Sequence, residues 1–231
     1  MFMLYNPFDP LFLMLVLPTM LFAMWAQHQV TSSFKKYSQQ MTSKRLTGAQ
    51  AAQEVLKHAG VTGVTIERVS GHLTDHFDPR SNVIRLSESV HNSTSVAAVG
   101  VAAHEAGHAI QYANGYFPIK IRAAIIPATN IGSKLAMPLV LIGIFMSMYG
   151  LINIGILLFG TVVLFQLITL PVEFDASRRA INILGDSALL TRDELPASKK
   201  VLTAAALTYV GALAVSLAQL LRLIAMSRRR R

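Results

Sequence analysis

The 231-residue chain is 52% hydrophobic and only 14% charged, with mean hydropathy +0.45, which excludes an ordinary soluble domain and fits several membrane spans. Its net charge of +9 gathers beside apolar runs and in Arg228 to Arg231, where basic clusters meet anionic lipid headgroups. No basic and aromatic residues interleave on a soluble face, so nucleic acid is not an expected partner. The absence of cysteine removes disulfides, thiolate zinc ligands and cysteine nucleophiles.

From the start of the chain, the uncharged stretch Pro10 to Phe34 is long enough to cross a ~30 Å hydrocarbon core. Within it, the run Leu11 to Ala26 closes on Trp25, an interface-favouring residue, and Pro18 sits where it can kink a helix. No Lys or Arg precedes the run and no A-x-A-like site follows it. A retained anchor over residues 1–30 is therefore expected rather than a cleaved signal peptide.

Residues 31–122 form the sizeable water-facing region, with Lys35, Lys36, Lys44 and Arg45 just beyond the first span. Thr47-Gly48-Ala49-Gln50 fits a capping box, and Ala52, Val55, Leu56 and Ala59 recur at helical spacing before Gly60, so an amphipathic helix is predicted. Val64 and Ile66 alternate with polar neighbours and suggest a strand. His72 to Phe77 and Asn82 to Ser87 flank Asp78-Pro79-Arg80-Ser81, whose Asp and Pro suit a turn, giving a β-hairpin. The second strand carries Val83, Ile84, Arg85 and Leu86. It reads either as an edge that holds an extended peptide substrate by backbone pairing or as an ordinary solvent-exposed edge.

The stretch Val96 to Gln111, VAAVGVAAHEAGHAIQ, organises the rest. His104, Glu105 and His108 form H-E-x-x-H, a pattern that chance delivers on the order of once in two hundred such chains. On a helix, residues i and i+4 leave the same face, so the two imidazoles can grip one Zn²⁺. Glu105 projects beside them, where it can take a proton from a metal-bound water. Asn92-Ser93-Thr94, formally a glycosylation sequon, is read as the N-cap cluster opening this helix, and Asn114-Gly115 closes it. Tyr112, one turn after His108, and Tyr116 are oxyanion candidates, as is a loop His, although a Tyr near a membrane surface is also a common interface anchor.

Leu135 to Val172 carries no charge over 38 residues, or ~57 Å of helix and close to two crossings. Gly150 to Gly155 marks the expected turn of this helical hairpin, within residues 123–172, and Lys134 stands at its entrance. The next charged residue, Glu173, opens residues 173–200 and is the candidate third zinc ligand, since a catalytic zinc typically takes three protein ligands and one water. A carboxylate favoured at a helix N-terminus is the competing reading. Asp175, two residues on, points elsewhere on a helix. His28, His58, His72, His76 and His91 are scattered over loops and helix ends. Val201 to Leu221 is a further spanning run, within residues 201–231, before the basic tail.

Three stretches, LTDHFDPRSNVIRLSESV, VAAVGVAAHEAGHAIQ and FQLITLPVEFDASRRA, closely resemble the YugP-type neutral zinc metallopeptidases, a group of bacterial membrane proteases, and the resemblance covers nearly the whole chain. The arrangement is also similar to the HtpX and CAAX prenyl protease group, in which a membrane hairpin separates H-E-x-x-H from a Glu ligand. Carried over, the resemblance implies His104, His108 and Glu173 as ligands and Glu105 as general base. The HtpX-like pattern has an Asp four residues after the ligand Glu, supporting the ligands from behind. Ser177 stands there in this chain, and a hydroxyl can still hydrogen-bond but holds no charge.

The expected fold is thus mostly α, with about four transmembrane helices and a small α+β zincin-like domain built on the H-E-x-x-H helix and a short β-hairpin. The expected activity is a zinc endopeptidase acting on membrane or membrane-proximal proteins. The alternative is a catalytically silent zinc-stabilised scaffold or adaptor using the same ligands. A transporter ranks last, because the spans carry no ionisable residue at their centres. By the positive-inside rule, Lys35, Lys36, Lys120, Arg122, Arg178, Arg179, Lys199 and Lys200 put the active site on the cytoplasmic side of a bacterial inner membrane. The same rule sets the Arg tail against four full crossings: either the last segment does not cross fully or the tail is tolerated. No feature specifies an oligomeric state.

Overall fold

The computed structural model describes residues 9–228. The first eight residues of the expected anchor and Arg229 to Arg231 of the basic tail lie outside the described residues. In chain order, a π-helical turn (Phe12–Val16) leads into α1 (Leu17–Tyr37), followed by α2 (Gly48–His58), β1 (Thr65–Val69), β2 (His76–Asp78) and β3 (Val83–Ser87). A single turn α3 (Glu88–His91) then precedes α4 (Val96–Ala113), α5 (Phe117–Phe145), α6 (Tyr149–Asp186) and α7 (Leu195–Arg228). These elements form two compact units, each assembled from separated pieces of chain.

The first unit holds residues 9–26, 121–170 and 207–228. The π-turn with α1, together with α5, α6 and α7, supplies four helices long and apolar enough to cross a bilayer. Their outward side chains include Leu157 and Phe145, as lipid contact requires. Pro18 has no N–H, and its ring crowds the carbonyl four residues earlier. The wide turn just ahead of it, where Leu17 N donates to Phe12 O, accommodates that mismatch.

Small residues let α5 and α6 approach closely, since lipid offers no hydrophobic drive between helices. A Cβ on Gly155 would stand 2.7 Å from Ala136 O. This glycine is therefore a packing residue, and the hairpin turn falls at residues 146–148, not at Gly150 to Gly155 as the glycines suggested. Ser147 there adopts φ 55°. On α7, Arg222 is buried and pairs with Asp9, its Nη2 and Nε lying 2.8 Å and 2.9 Å from Oδ2.

The second unit, Gln27–Lys120 with Pro171–Ala206, carries the predicted site residues. Fourteen of the eighteen residues of α4 are buried, so this helix has no solvent stripe and forms the centre of the unit. Ala51, Ala52, Val55 and Leu56 of α2 join its core, and the capping box of Thr47 and Gln50 forms as expected. Each fully buried Val, Leu or Ile contributes about 1.5–3 kcal/mol.

The sheet runs β1-β3-β2. β3 pairs parallel with β1 and antiparallel with β2, with Ile84 opposite both Ile66 and Phe77. The reading of Val83, Ile84, Arg85 and Leu86 as an edge strand is therefore corrected: β3 is the middle strand, and β2 lies at the edge of the sheet. The hairpin was legible, but the strand from Thr65 to Val69 that covers its far side is a non-local partner that alternation does not reveal.

A loop clasp completes this unit. Buried Glu194 accepts from Ser43 N at 2.6 Å, Ser43 Oγ at 2.7 Å and Thr191 N at 2.8 Å. Burial pushes its carboxyl up, but these hydrogen bonds outweigh burial and hold it below the usual carboxylate range. Its stabilisation is therefore present above the unfolded-state pKa and is lost as the pH falls through the lowered folded value. We predict that Glu194→Ala costs roughly 1–3 kcal/mol in chemical denaturation at neutral pH. Glu194→Gln should show a smaller loss of stability on acidification than wild type.

Candidate metal centre

The site begins with the cap of α4. Ser95 Oγ accepts from Ala98 N at 3.2 Å, so Ser95 holds the cap, one residue beyond the expected Asn92-Ser93-Thr94 cluster. Ser93 instead donates to Ser95 Oγ at 3.0 Å. Asn114 and Gly115, the latter at φ 65°, end the helix as predicted. On the rigid helix between them, the rings of His104 and His108 stand edge-on, with centroids 4.6 Å apart.

The carboxylate comes from α6. Glu173 does not open a new helix: α6 runs unbroken from Tyr149 to Asp186, through Pro171, which removes the helix N-terminus as an explanation for that carboxylate. Its side chain is only 2% exposed, and Oε2 lies 3.2 Å from His104 Nε2 and 3.5 Å from His108 Nε2. One donor atom from each of the three residues falls within 4.8 Å of the others, the one such group among the described residues. Four bonds of ~2.0–2.1 Å in tetrahedral array put neighbouring donors about 3.3 Å apart, close to both measured separations. The donor set, two imidazole nitrogens and one carboxylate oxygen, therefore fits zinc.

Glycine makes this approach possible. Within H-E-x-x-H, Gly107 faces Ala176, and a Cβ there would stand 2.6 Å from Ala176 O. Behind the imidazoles, Ser177 Oγ lies 3.0 Å from His104 Nδ1 and Gln111 Oε1 lies 3.1 Å from His108 Nδ1. Neither Gly107 nor Gln111 was singled out in the sequence. The available signal was a lone amide, Gln111, one turn beyond a ligand in an otherwise apolar helix end. Asp175, as expected, does not join the ligand group, but receives Gln111 Nε2 at 2.9 Å and Arg179 Nε at 2.6 Å.

Glu105 is buried beside the cluster, and burial pushes its carboxyl up to about 7. His104 opposes that rise, whereas the charges of Glu173 and Asp75 add to it. A divalent cation in the donor group would draw it back down. Tyr112 lies seven residues on, along the same helix stripe as Glu105, half-exposed with its ring 6.1 Å from that of Phe77. Tyr116 instead lies under the Arg179 guanidinium, at 5.7 Å. His76 acts on the charge of Glu105, and its Nδ1 is 2.9 Å from Thr74 O.

This donor chemistry, in a chain with four bilayer-length helices, defines the class as membrane zinc metallopeptidase. Residues 12–228 match the family described as "Putative neutral zinc metallopeptidase". The chain is also 44% identical over 214 residues to "Putative membrane protease YugP" of Bacillus subtilis (strain 168), covering 93% of this chain and 95% of that one. No solved structure matches it. The chain belongs to the neutral zinc metallopeptidase family, whose members are zinc-dependent hydrolases.

The Gly107 contact yields a test of the assembly. Gly107→Ala should destabilise the protein by about 1–3 kcal/mol through overpacking and weaken zinc binding by displacing Glu173. Gly160→Ala, where an added Cβ meets nothing within 4 Å, should do neither. Melting temperature and zinc stoichiometry read the two effects.

Proposed function

We propose that the protein is an endopeptidase that cuts membrane proteins, or segments close to the bilayer, with His104, His108 and Glu173 holding zinc and Glu105 as general base. The convergence of these three donors, with the buried Glu105 next to His104 in the chain, is the observation that carries this reading. A zinc ion there supplies Lewis-acid polarisation of the scissile carbonyl and lowers the pKa of a water toward ~7.

The chain's own groups do the rest. The Glu105 carboxylate takes the proton of the attacking water and returns it to the leaving amine. Serving both steps needs a group that takes up a proton and gives it back, which a carboxylate next to His104 can do. Ser177 supports His104 from behind. Tyr112, on the Glu105 stripe, is the hydroxyl we assign to the developing oxyanion. Tyr116 is engaged by Arg179.

The edge position of β2 supports a peptide lying along His76, Phe77 and Asp78 rather than along β3. Because Glu173 directly follows an uncharged spanning stretch, we place the substrate bond near the headgroup level. The basic residues between spans favour a cytoplasmic catalytic side in a bacterial cell membrane. The Asp9 pairing offsets the charge of Arg222 at the far end of the last span, and α7, at about 51 Å of helix, is long enough to cross fully.

The decisive variant is Glu105→Gln in purified, detergent-solubilised protein. It should keep stoichiometric zinc while proteolysis of membrane-protein substrates falls about 10²–10⁴-fold. Unchanged cleavage would remove Glu105 from the mechanism, and cleavage insensitive to chelator would remove the metal.

A further inference from the structure

Gln111 is fully buried, and each of its amide hydrogen-bonding groups has a partner. Its Nε2 donates to Val172 O at 2.8 Å and to Asp175 Oδ2 at 2.9 Å. A backbone carbonyl and a carboxylate can only accept, so the NH₂ end must face them, and the orientation of the amide follows from its partners. Oε1 is then the end that meets His108 Nδ1 at 3.1 Å. An amide oxygen can only accept, so Nδ1 must carry the hydrogen. In the neutral ring this leaves Nε2, 3.5 Å from Glu173 Oε2, as the nitrogen free to bind a cation held between them.

His104 differs. Its Nδ1 meets the hydroxyl of Ser177, which can donate or accept and so accommodates either tautomer. The two imidazoles are thus held by unlike partners, one that dictates the tautomer and one that adapts to it.

We propose that Gln111 is a positioning residue of the metal centre, fixing His108 with a bare Nε2 and tying that choice to the helix segment that carries Glu173. The partners of its NH₂ group, Val172 and Asp175, flank Glu173 in sequence, so one amide sets the tautomer of one donor and the reach of another. Asp175 acts through Gln111. Its carboxylate is held by Arg178 and by Arg179, and Oδ2 takes both the Arg179 Nε hydrogen and the Gln111 amide hydrogen. Fixed this way, Gln111 cannot flip its amide without placing its oxygen against two acceptors. This proposal rests on the reading of His104, His108 and Glu173 as ligands.

The test uses the full chain in detergent, stripped of metal, with zinc affinity measured by competition against a chromophoric chelator. Gln111→Met keeps the volume and removes both hydrogen-bonding ends. It should weaken zinc binding about 10- to 100-fold, the usual effect of losing a partner behind a ligand. Asp175→Asn should weaken it too, and the double variant should fall no further than Gln111→Met alone. Side-chain ¹⁵N NMR of the metal-free protein should show His108 protonated at Nδ1 in wild type and a growing Nε2-protonated population in Gln111→Met. A residue that merely packs would not move that tautomer.

Wild-type zinc affinity in Gln111→Met, with affinity lost in His108→Ala, would overturn the positioning role alone. Multiplying losses in the double variant would overturn the relay through Gln111. Equal zinc binding by wild type and His108→Ala would take down the ligand reading and this proposal together. Should Gln111→Met fail to fold, the wild-type tautomer decides: a neutral His108 ring with its hydrogen on Nε2 and none on Nδ1 overturns the proposal.

Discussion

A carboxylate with 2% of its surface exposed, facing two imidazole nitrogens, is the constraint on which this protein is built. Burying such a group without compensation costs several kcal/mol, so the fold must deliver positive charge or donors to it. His104 and Glu173 are 69 residues apart in sequence, and the intervening chain is mostly the pair α5 and α6. Contacts at close range then close the gap: the missing Cβ of Gly107 against Ala176 and the amide of Gln111 on Val172 O.

The same economy of backbone approach recurs in the helical unit, where Gly132 and Gly155 let α5 and α6 pack at near-contact distance. The two units use small residues for different reasons. In the apolar unit, close packing replaces a hydrophobic drive that lipid does not provide. In the other unit it brings Glu173 within reach of the two imidazoles. Arg222, buried on Asp9, shows how a charge survives in an apolar helix when a carboxylate meets it.

Much of the site was readable in one dimension because it is local. H-E-x-x-H on a helix, the capping box at Thr47, the hairpin turn at Asp78 and the stop at Asn114-Gly115 each follow from a few neighbouring residues. Where the sequence misled, the cause was a long-range partner. Gly150 and Gly155 looked like turn residues, but Gly155 lies against Ala136 and Val140. Val83 to Leu86 looked like an edge until β1 paired with its far side.

The amino-acid string alone determined the class of chemistry and the membrane setting, because a metal pair one helical turn apart and a hydrocarbon-length apolar run are both periodic, local features. It also named Glu173, by counting donors rather than by geometry. Only the tertiary structure decided that Glu173 sits inside a continuous helix, that β3 is the middle strand, and that Gln111 stands behind His108. Those facts depend on which distant backbone atoms come within a few ångströms of each other, and no spacing along the chain encodes that distance.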